Sequence, residues 1–458
     1  MTQIFSRAGY RLLVVAAWIL LLAASGCSFF DSYPERIAYA RQAFADADFD
    51  EAAHVVENLA SPERDRVLLN MELGTIYHTM GNFEKSNESF LQATRLVREF
   101  EERAMVSLRD VGAFGTAVLI NDKARPYRGA PYERVLLHTY LAMNYLLQRN
   151  LLDARVEILQ AYERQRRARE EHQLEFKRMA EASEEKGIEA DELAETIRGH
   201  YVDQQQILER EENIYQNAFT YYLSVLVYEL NGEYDDAYID AKTVYALNPD
   251  FSPVHADLLR LSRRLGLDQD YRRWRRAFGQ EVADRLPEGH GEVVLLVQSG
   301  MAPLKEQIRI PVPVPVKGDI SFLTVSIPKF KAQPGRIPPA SLYCGDRRLM
   351  ETCPLTDVRA AAVQYLWDQA PAIAIRQILR ASGRYAAIYY AREKGGDLLA
   401  LLVAMAGYAL EQADLRSWAT LPRSFQVGRT DLPAGEYAFR IDLTGPGGGR
   451  VALERVSV

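Results

Sequence analysis

The side chains best able to do chemistry are three cysteines and seven histidines, and their spacing limits what that chemistry is. The histidines (His54, His78, His138, His172, His200, His255 and His290) form no H-E-x-x-H pair on one helix face and no close neighbours, so a histidine metal site is not expected. No serine stands in a G-x-S-x-G turn, which is the arrangement that exposes a nucleophile above a sheet. Carboxylates are abundant, but a pair for glycoside cleavage would have to be assembled from distant segments. Cys344 and Cys353 lie nine positions apart with no histidine or third cysteine near enough for zinc. They read as a disulfide if the chain reaches an oxidising compartment, with two buried thiols as the alternative. No catalytic residue, cofactor-binding residue or metal ligand is nominated, and the chain reads as a binding protein rather than an enzyme.

The third cysteine has a different setting. Arg7 and Arg11 precede an apolar run from Leu12 to Leu22, and Ala23-Ala24-Ser25-Gly26 leads into Cys27. The arrangement resembles the lipobox of bacterial lipoproteins, with Ala24 where that pattern usually has Leu. It implies that residues 1–26 are a cleaved signal and that Cys27 is lipidated as the mature N-terminus, followed by a tether over 27–32. The alternative, an uncleaved transmembrane anchor, needs about 20 apolar residues, more than this run supplies. Ser28 after the cysteine implies, by the same resemblance, sorting to the outer membrane with the body in the periplasm. Leu398 to Leu410 is a shorter apolar stretch interrupted by Gly407 and reads as a buried helix.

The 458 residues, 48% of them hydrophobic, suffice for two or three domains with sizeable cores. A net charge of -7 offers no basic face for phosphates, so nucleic acid is set aside as a partner.

Positioning elements emerge from an internal period. Phe49-Asp50-Glu51-Ala52 recurs as Phe83-Glu84-Lys85-Ser86, an interval of 34 residues that resembles the tetratricopeptide repeat. In that copy Gly74, Ser86 and Ala93 are small enough for two helices to approach closely, while Leu73, Tyr77 and Phe90 fill the space between them. A weaker copy carries Tyr39, Ala40, Ala43, Ala52, Val56 and Leu59. A third has Ala142, Tyr145, Ala154, Ile158 and Ala161, and a fourth has Tyr228, Gly232, Tyr234, Ala237 and Ala241 before Asn248-Pro249. Pro249 ends that helix, since it lacks an N–H and clashes with the preceding turn. Pro253 to Leu265 reads as a capping helix.

Two insertions interrupt the array. Residues 111–130, with Gly112, Gly115, Pro126 and Gly129, read as a loop without a phosphate-binding pattern. Residues 163–212 are mostly Glu, Arg, Lys and Gln, with sparse apolar positions such as Phe176, Met179, Leu193, Ile197, Tyr201 and Leu208 and a break at Gly187. They suggest a charged helical hairpin arm with its legs on each other, or a docking arm.

Past Pro287 the period falls to two. Glu292 to Gln298, Gln307 to Val316, Ile320 to Ile327, Gly435 to Leu443 and Arg450 to Val458 read as strands, and residues 357–413 as a helical insertion. Pro311, Pro313 and Pro315 suit a strand at a sheet border. The expected fold is mainly α: a tetratricopeptide-like array over 33–285 carrying the arm, then a smaller α+β, β-sandwich-like domain over 286–458.

Repeat geometry directs Met71, Thr75 and His78, Thr139 and Met143, and Tyr222 and Glu229 into a concave groove of mixed polarity, suited to an extended peptide or a helix. The alternative is that the arm or a chain terminus folds into the groove. His138 reads as a satisfied buried histidine rather than a ligand, and Asp414 to Trp418 as a structural corner with Arg416 paired to Asp414.

Tyr127-Arg128-Gly129, Tyr132-Glu133-Arg134-Val135, His138, Ala142 to Leu146 and Asp414-Leu415-Arg416-Ser417-Trp418 before Leu421-Pro422 together resemble a family of proteobacterial outer-membrane lipoproteins with tetratricopeptide repeats and no established activity. The resemblance implies residence in the envelope. With the array, it leads to the expectation of a lipid-anchored periplasmic scaffold that binds an envelope protein through its groove. It also implies, as an alternative, a regulator of a peptidoglycan synthase, similar to an activator of penicillin-binding proteins. A cell-wall enzyme ranks below both.

Overall fold

A computed structural model describes residues 32–59, 62–109, 122–184, 190–208, 216–280, 282–316, 319–333, 335–410, 412–443 and 449–458. Residues 1–31, on which the expected signal and Cys27 fall, lie outside the described residues, as do Gly112, Gly115, Gly187 and the expected turn over 445–448.

The chain is mainly helical, with sheets confined to its C-terminal region. Five helix pairs stack in sequence among the described residues: α1 (Tyr33–Ala45) on α2 (Phe49–Glu57), α3 (Arg66–Thr79) on α4 (Phe83–Arg109), α5 (Pro131–Leu147) on α6 (Leu151–Glu184), α9 (Ala218–Asn231) on α10 (Tyr234–Leu247), and α11 (Ser252–Arg264) on α12 (Asp268–Phe278). The last pair extends the array beyond the single capping helix read from the sequence.

Each hairpin closes by the same device. Ala47, Gly81, Arg149, Gly232 and Gly266 adopt positive φ, and the N–H of the next residue bonds the carbonyl five positions back, as from Asn82 to Tyr77 and from Glu233 to Tyr228. Asp48, Asn82 and Asn150 then cap the second helix of their pairs by accepting a backbone N–H three residues on. Helix contact is close where small residues allow it. A Cβ at Gly74 would overlap the Phe90 ring, and Ser86 Oγ donates to the Gly74 carbonyl at 2.7 Å. Ala93, Ala154, Ala161, Ala237 and Ala241 are buried as expected, but Tyr39 is 63% exposed and no part of the core.

The outgoing leg of the arm is α6 itself, about 50 Å long at 1.5 Å per residue. The return leg corrects the expected free-standing hairpin. α7 (Ala190–Arg198), the tight helical turn after it and the short α8 (Gln205–Leu208) pack on the C-terminal region, burying Leu193, Ile197 and Tyr201. Tyr201 Oη donates to the Pro328 carbonyl at 2.7 Å and its ring meets Trp367 edge-on.

The C-terminal region forms three sheets rather than one sandwich-like sheet. β1 (His290–Ser299), β7 (Ser424–Pro433) and β6 (Cys353–Asp357) lie in the order β1-β7-β6. β2 (Lys305–Val316) and β3 (Asp319–Phe330) form a hairpin. The order of the third is β5-β4-β8-β9, from β4 (Ala340–Cys344), β5 (Arg347–Glu351), β8 (Glu436–Leu443) and β9 (Arg450–Ser457). Among the described residues the proline-bearing β2 pairs with β3 alone, as a border strand should. The helical insertion is α13 (Val358–Leu410), broken at Gly396, where φ is 75° and ψ is -174°. Among the described residues no helix is long and apolar enough to cross a membrane.

The two cysteines are free thiols, which overturns the expected disulfide. Cys344 ends β4 opposite Phe439, whereas Cys353 begins β6 opposite Val427, so the strands carry them into different sheets.

Candidate functional site

The expected groove exists, and the chain's own C-terminal region fills it. Met71, Thr75, Thr139, Met143 and Tyr222 are at most 3% exposed, and His78 and Glu229 are partly buried. This corrects the open groove, and the occupant is neither the arm nor a chain terminus. The occupant is the stretch 412–423 with strands β1 and β7. Trp418 is its anchor: Nε1 donates to Thr75 Oγ1 at 2.9 Å, and the indole packs against the rings of Phe90 and Tyr140.

Two buried carboxylates of the array grip the backbone of this stretch. Glu72 on α3 accepts from the Ala419 and Thr420 amides at 2.7 and 2.8 Å, from Thr420 Oγ1 at 2.6 Å and from Tyr33 Oη at 2.9 Å. Glu133, whose other oxygen caps α5 at the Ala130 amide, accepts from the Trp418 amide at 2.9 Å. Burial raises the Glu72 carboxyl, and the four donors work against that rise. The paired motif Asp414 to Trp418 is a structural corner. Arg416 bonds both oxygens of Asp414, reaches Asp65 on the array at 3.0 Å and lies over the Tyr127 ring. The two sets of residues that carry the family resemblance thus meet in space.

The other groove positions are held from β1 and β7. Gln298 accepts from Tyr140 Oη at 2.7 Å and donates to His78 Nε2 at 2.9 Å, so His78 Nδ1 carries the proton and donates to Asn144 Oδ1. Burial holds His78 below the usual histidine range, which suits this neutral form. Met143 Sδ lies 3.7 Å from Gln298 Nε2. Arg429 on β7 bonds Tyr222, Asp257 and Glu292 and lies 3.5 Å from Glu229. Thr139 instead bonds Thr220 on α9. His138 is buried and paired with Glu157, as a satisfied histidine.

Among the described residues a neighbouring cleft of about 2020 Å³ lies open between the fourth hairpin and the C-terminal region. Ile239, Lys242 and Thr243 of α10 line one wall, and β6, the border strand of its sheet, lines another with Cys353 to Asp357. Gln204, Gln333 and Arg359 also line it, and each has a buried polar atom without a partner among the described residues. Apart from Cys353, none of these was singled out in the sequence. β4, β5 and β6 are short and carry no clear alternation, and Arg359 looks like an ordinary surface charge until the fold buries it. Glu72 had a signal, an acid among the apolar positions Leu68, Met71 and Ile76 of one helix.

No family model and no curated protein matches the chain. Among solved structures, a chain titled "MamA MSR-1 C2" is similar over 53% of this chain and 93% of its own length, at 10% identity and a TM-score of 0.28. A likeness at that level carries no argument about fold or function.

Proposed function

We propose that this protein is a lipid-tethered periplasmic scaffold of the tetratricopeptide type, which binds a protein partner of the cell envelope without catalysing a reaction. The observation that carries the reading is the stack of five helix hairpins closed by one repeated turn, with an open cleft beside its fourth member. Stacked hairpins of this kind serve as extended binding surfaces. The groove is occupied by the chain itself, so the partner is assigned to the cleft. The tether is the lipidated Cys27, and α1 begins at Tyr33, which keeps the array near the membrane surface.

Two experiments test this. A photo-crosslinking residue at Ile239, which is 55% exposed on the cleft wall, should form a discrete protein adduct in intact cells, while the same residue at Leu174 on α6 should not. Adducts with sugar or lipid alone, or equal adducts at both positions, would remove the scaffold reading. Cys27→Ser should release the protein from membranes with its helical content intact. Retention through alkaline extraction would exclude the lipid tether.

A further inference from the structure

We propose that the two ends of the helical array bind each other between copies of the chain, the last hairpin of one copy setting its arginines on Tyr39 and the carboxylates of the first hairpin of the next. Inside the array consecutive hairpins cover one another, and the interval of 34 residues compares equivalent positions, as the turn glycines Gly232 and Gly266 do. Leu73 of α3 is half-buried against the core, whereas Tyr39, 34 residues earlier on α1, is 63% exposed. Tyr238 of α10 is buried beneath the last hairpin, where its hydroxyl donates to Asp270 and accepts from the Trp274 indole. Arg272 of α12, 34 residues later, is exposed. A stacking position that is covered inside the array is thus open at each end among the described residues.

The two open ends carry opposite charge. Residues 42–59 contain five carboxylates (Asp46, Asp48, Asp50, Glu51 and Glu57) and no lysine or arginine, and Arg36 and Arg41 of α1 turn inward to Asp65 and to the Ala302 and Ala419 carbonyls. Glu51, with a smaller push from Asp48, raises the Tyr39 hydroxyl, so the exposed ring sits among negative charges. Residues 260–276 contain seven arginines and two aspartates. Arg260 is held by Glu229 and Asp257, Arg263 and Arg275 by Asp284, and Arg264 lies over the Tyr234 ring. Arg272, Arg273 and Arg276 are exposed on the side of α12 away from Trp274 and Phe278, and among the described residues they contact only the Asp268 and Arg272 carbonyls and the edge of that helix at Trp274. Asp268 and Asp270 flank them in the first turn of α12, with Asp270 taken by Tyr238, while on α10 Lys242 is exposed and Asp235 and Asp236 lie two turns away from it. A polar outer face keeps a terminal hairpin soluble whatever its sign, but opposite signs at the two ends make the ends complementary. A guanidinium over an exposed tyrosine ring adds to the ion pairs. A contact between two different faces of one chain is head-to-tail, and it extends into a row of copies unless its rotation closes a ring.

The test is light scattering of the full-length chain after gel filtration in nonionic detergent, at about 50 mM and about 500 mM NaCl. The protein mass per particle should exceed one copy at low salt, grow with concentration, and fall to one copy at high salt. Two charge-reversed chains locate the contact. One carries Arg272→Glu, Arg273→Glu and Arg276→Glu, the other Asp46→Lys and Asp50→Lys, all at exposed positions. Each alone should remain at one copy with its helical content intact, and their mixture should associate at low salt, since each then offers the charge that the other lacks. Tyr39→Ala should weaken association of the otherwise unchanged chain about fivefold. A parent chain that stays at one copy at low salt, association indifferent to salt, to either reversal or to Tyr39→Ala, or a mixture that stays at one copy would each overturn the proposal. So would a parent chain that binds phosphatidylglycerol vesicles through these arginines without associating with itself, a result that would assign the basic face to a lipid surface.

Discussion

The groove and the cleft lie side by side and draw on the same kinds of side chain, but their polar groups end differently. In the groove, Glu72 has four donors, Thr75 has the Trp418 indole, and His78 has a partner on each nitrogen. In the cleft, Gln204 and Arg359 keep atoms without partners among the described residues. The difference teaches where an external ligand can act. A tethered occupant competes at an effective concentration that a free peptide rarely matches, so the groove is closed to partners in trans. The cleft has no such competitor among the described residues.

The largest break in this comparison should come from Trp418→Ala. Removing an indole that is 1% exposed leaves a cavity at the centre of the groove, and urea unfolding should show a loss of about 4 kcal/mol. Truncating Ile239 to Ala on the cleft wall should stay within about 0.5 kcal/mol, since that side chain already faces water. Near-equal losses would show that the stretch 412–423 is no anchor.

Glu72→Gln should follow, at about 3 kcal/mol by the same measurement, because an amide nitrogen would replace an acceptor facing several donors. Asp240 sharpens the comparison from the cleft side, since it sits on α10, the helix whose other face lines the cleft. Burial raises its carboxyl to about 6, and Ser224 and Tyr162 both donate to it. A raised carboxyl favours the folded state only while protonated. Its contribution is therefore complete below about pH 4 and is lost as the pH rises through about 6, a fall of roughly 2 to 3 kcal/mol by pH 7. The stability difference between Asp240→Asn and the parent should shift by that amount over this window, and a flat difference would refute the buried-acid account. Arg149→Gly should act in the opposite direction and by less than these core changes. Its φ of 59° is one that glycine adopts at lower cost, so thermal unfolding should show a gain of about 1 kcal/mol.

Local features were legible in the sequence because they are written within a few residues of each other. The interval of 34 residues, the small-large pairing of Gly74 with Phe90, and the proline that ends α10 each depend on contacts inside one hairpin. Helical character after Val358, the short apolar run of β1 and the alternation of β2 and β3 follow from side-chain pattern alone. Even the Asp414 to Trp418 corner was readable, since its charge pair lies two residues apart.

Tertiary structure alone decided what the groove holds. The bond from Ala419 to Glu72 spans 347 positions, and no local pattern encodes a partner at that distance. The same long reach carried Cys344 and Cys353 into separate sheets, although nine positions of chain would have allowed them to meet. It also brought Arg359 and Arg423 to one carbonyl from opposite ends of the helical insertion. The sequence determined the helices, the turns and the residues able to line a groove. The fold determined which surface was spent on the chain itself and which stayed open, because that choice depends on burial and pairing between segments hundreds of residues apart.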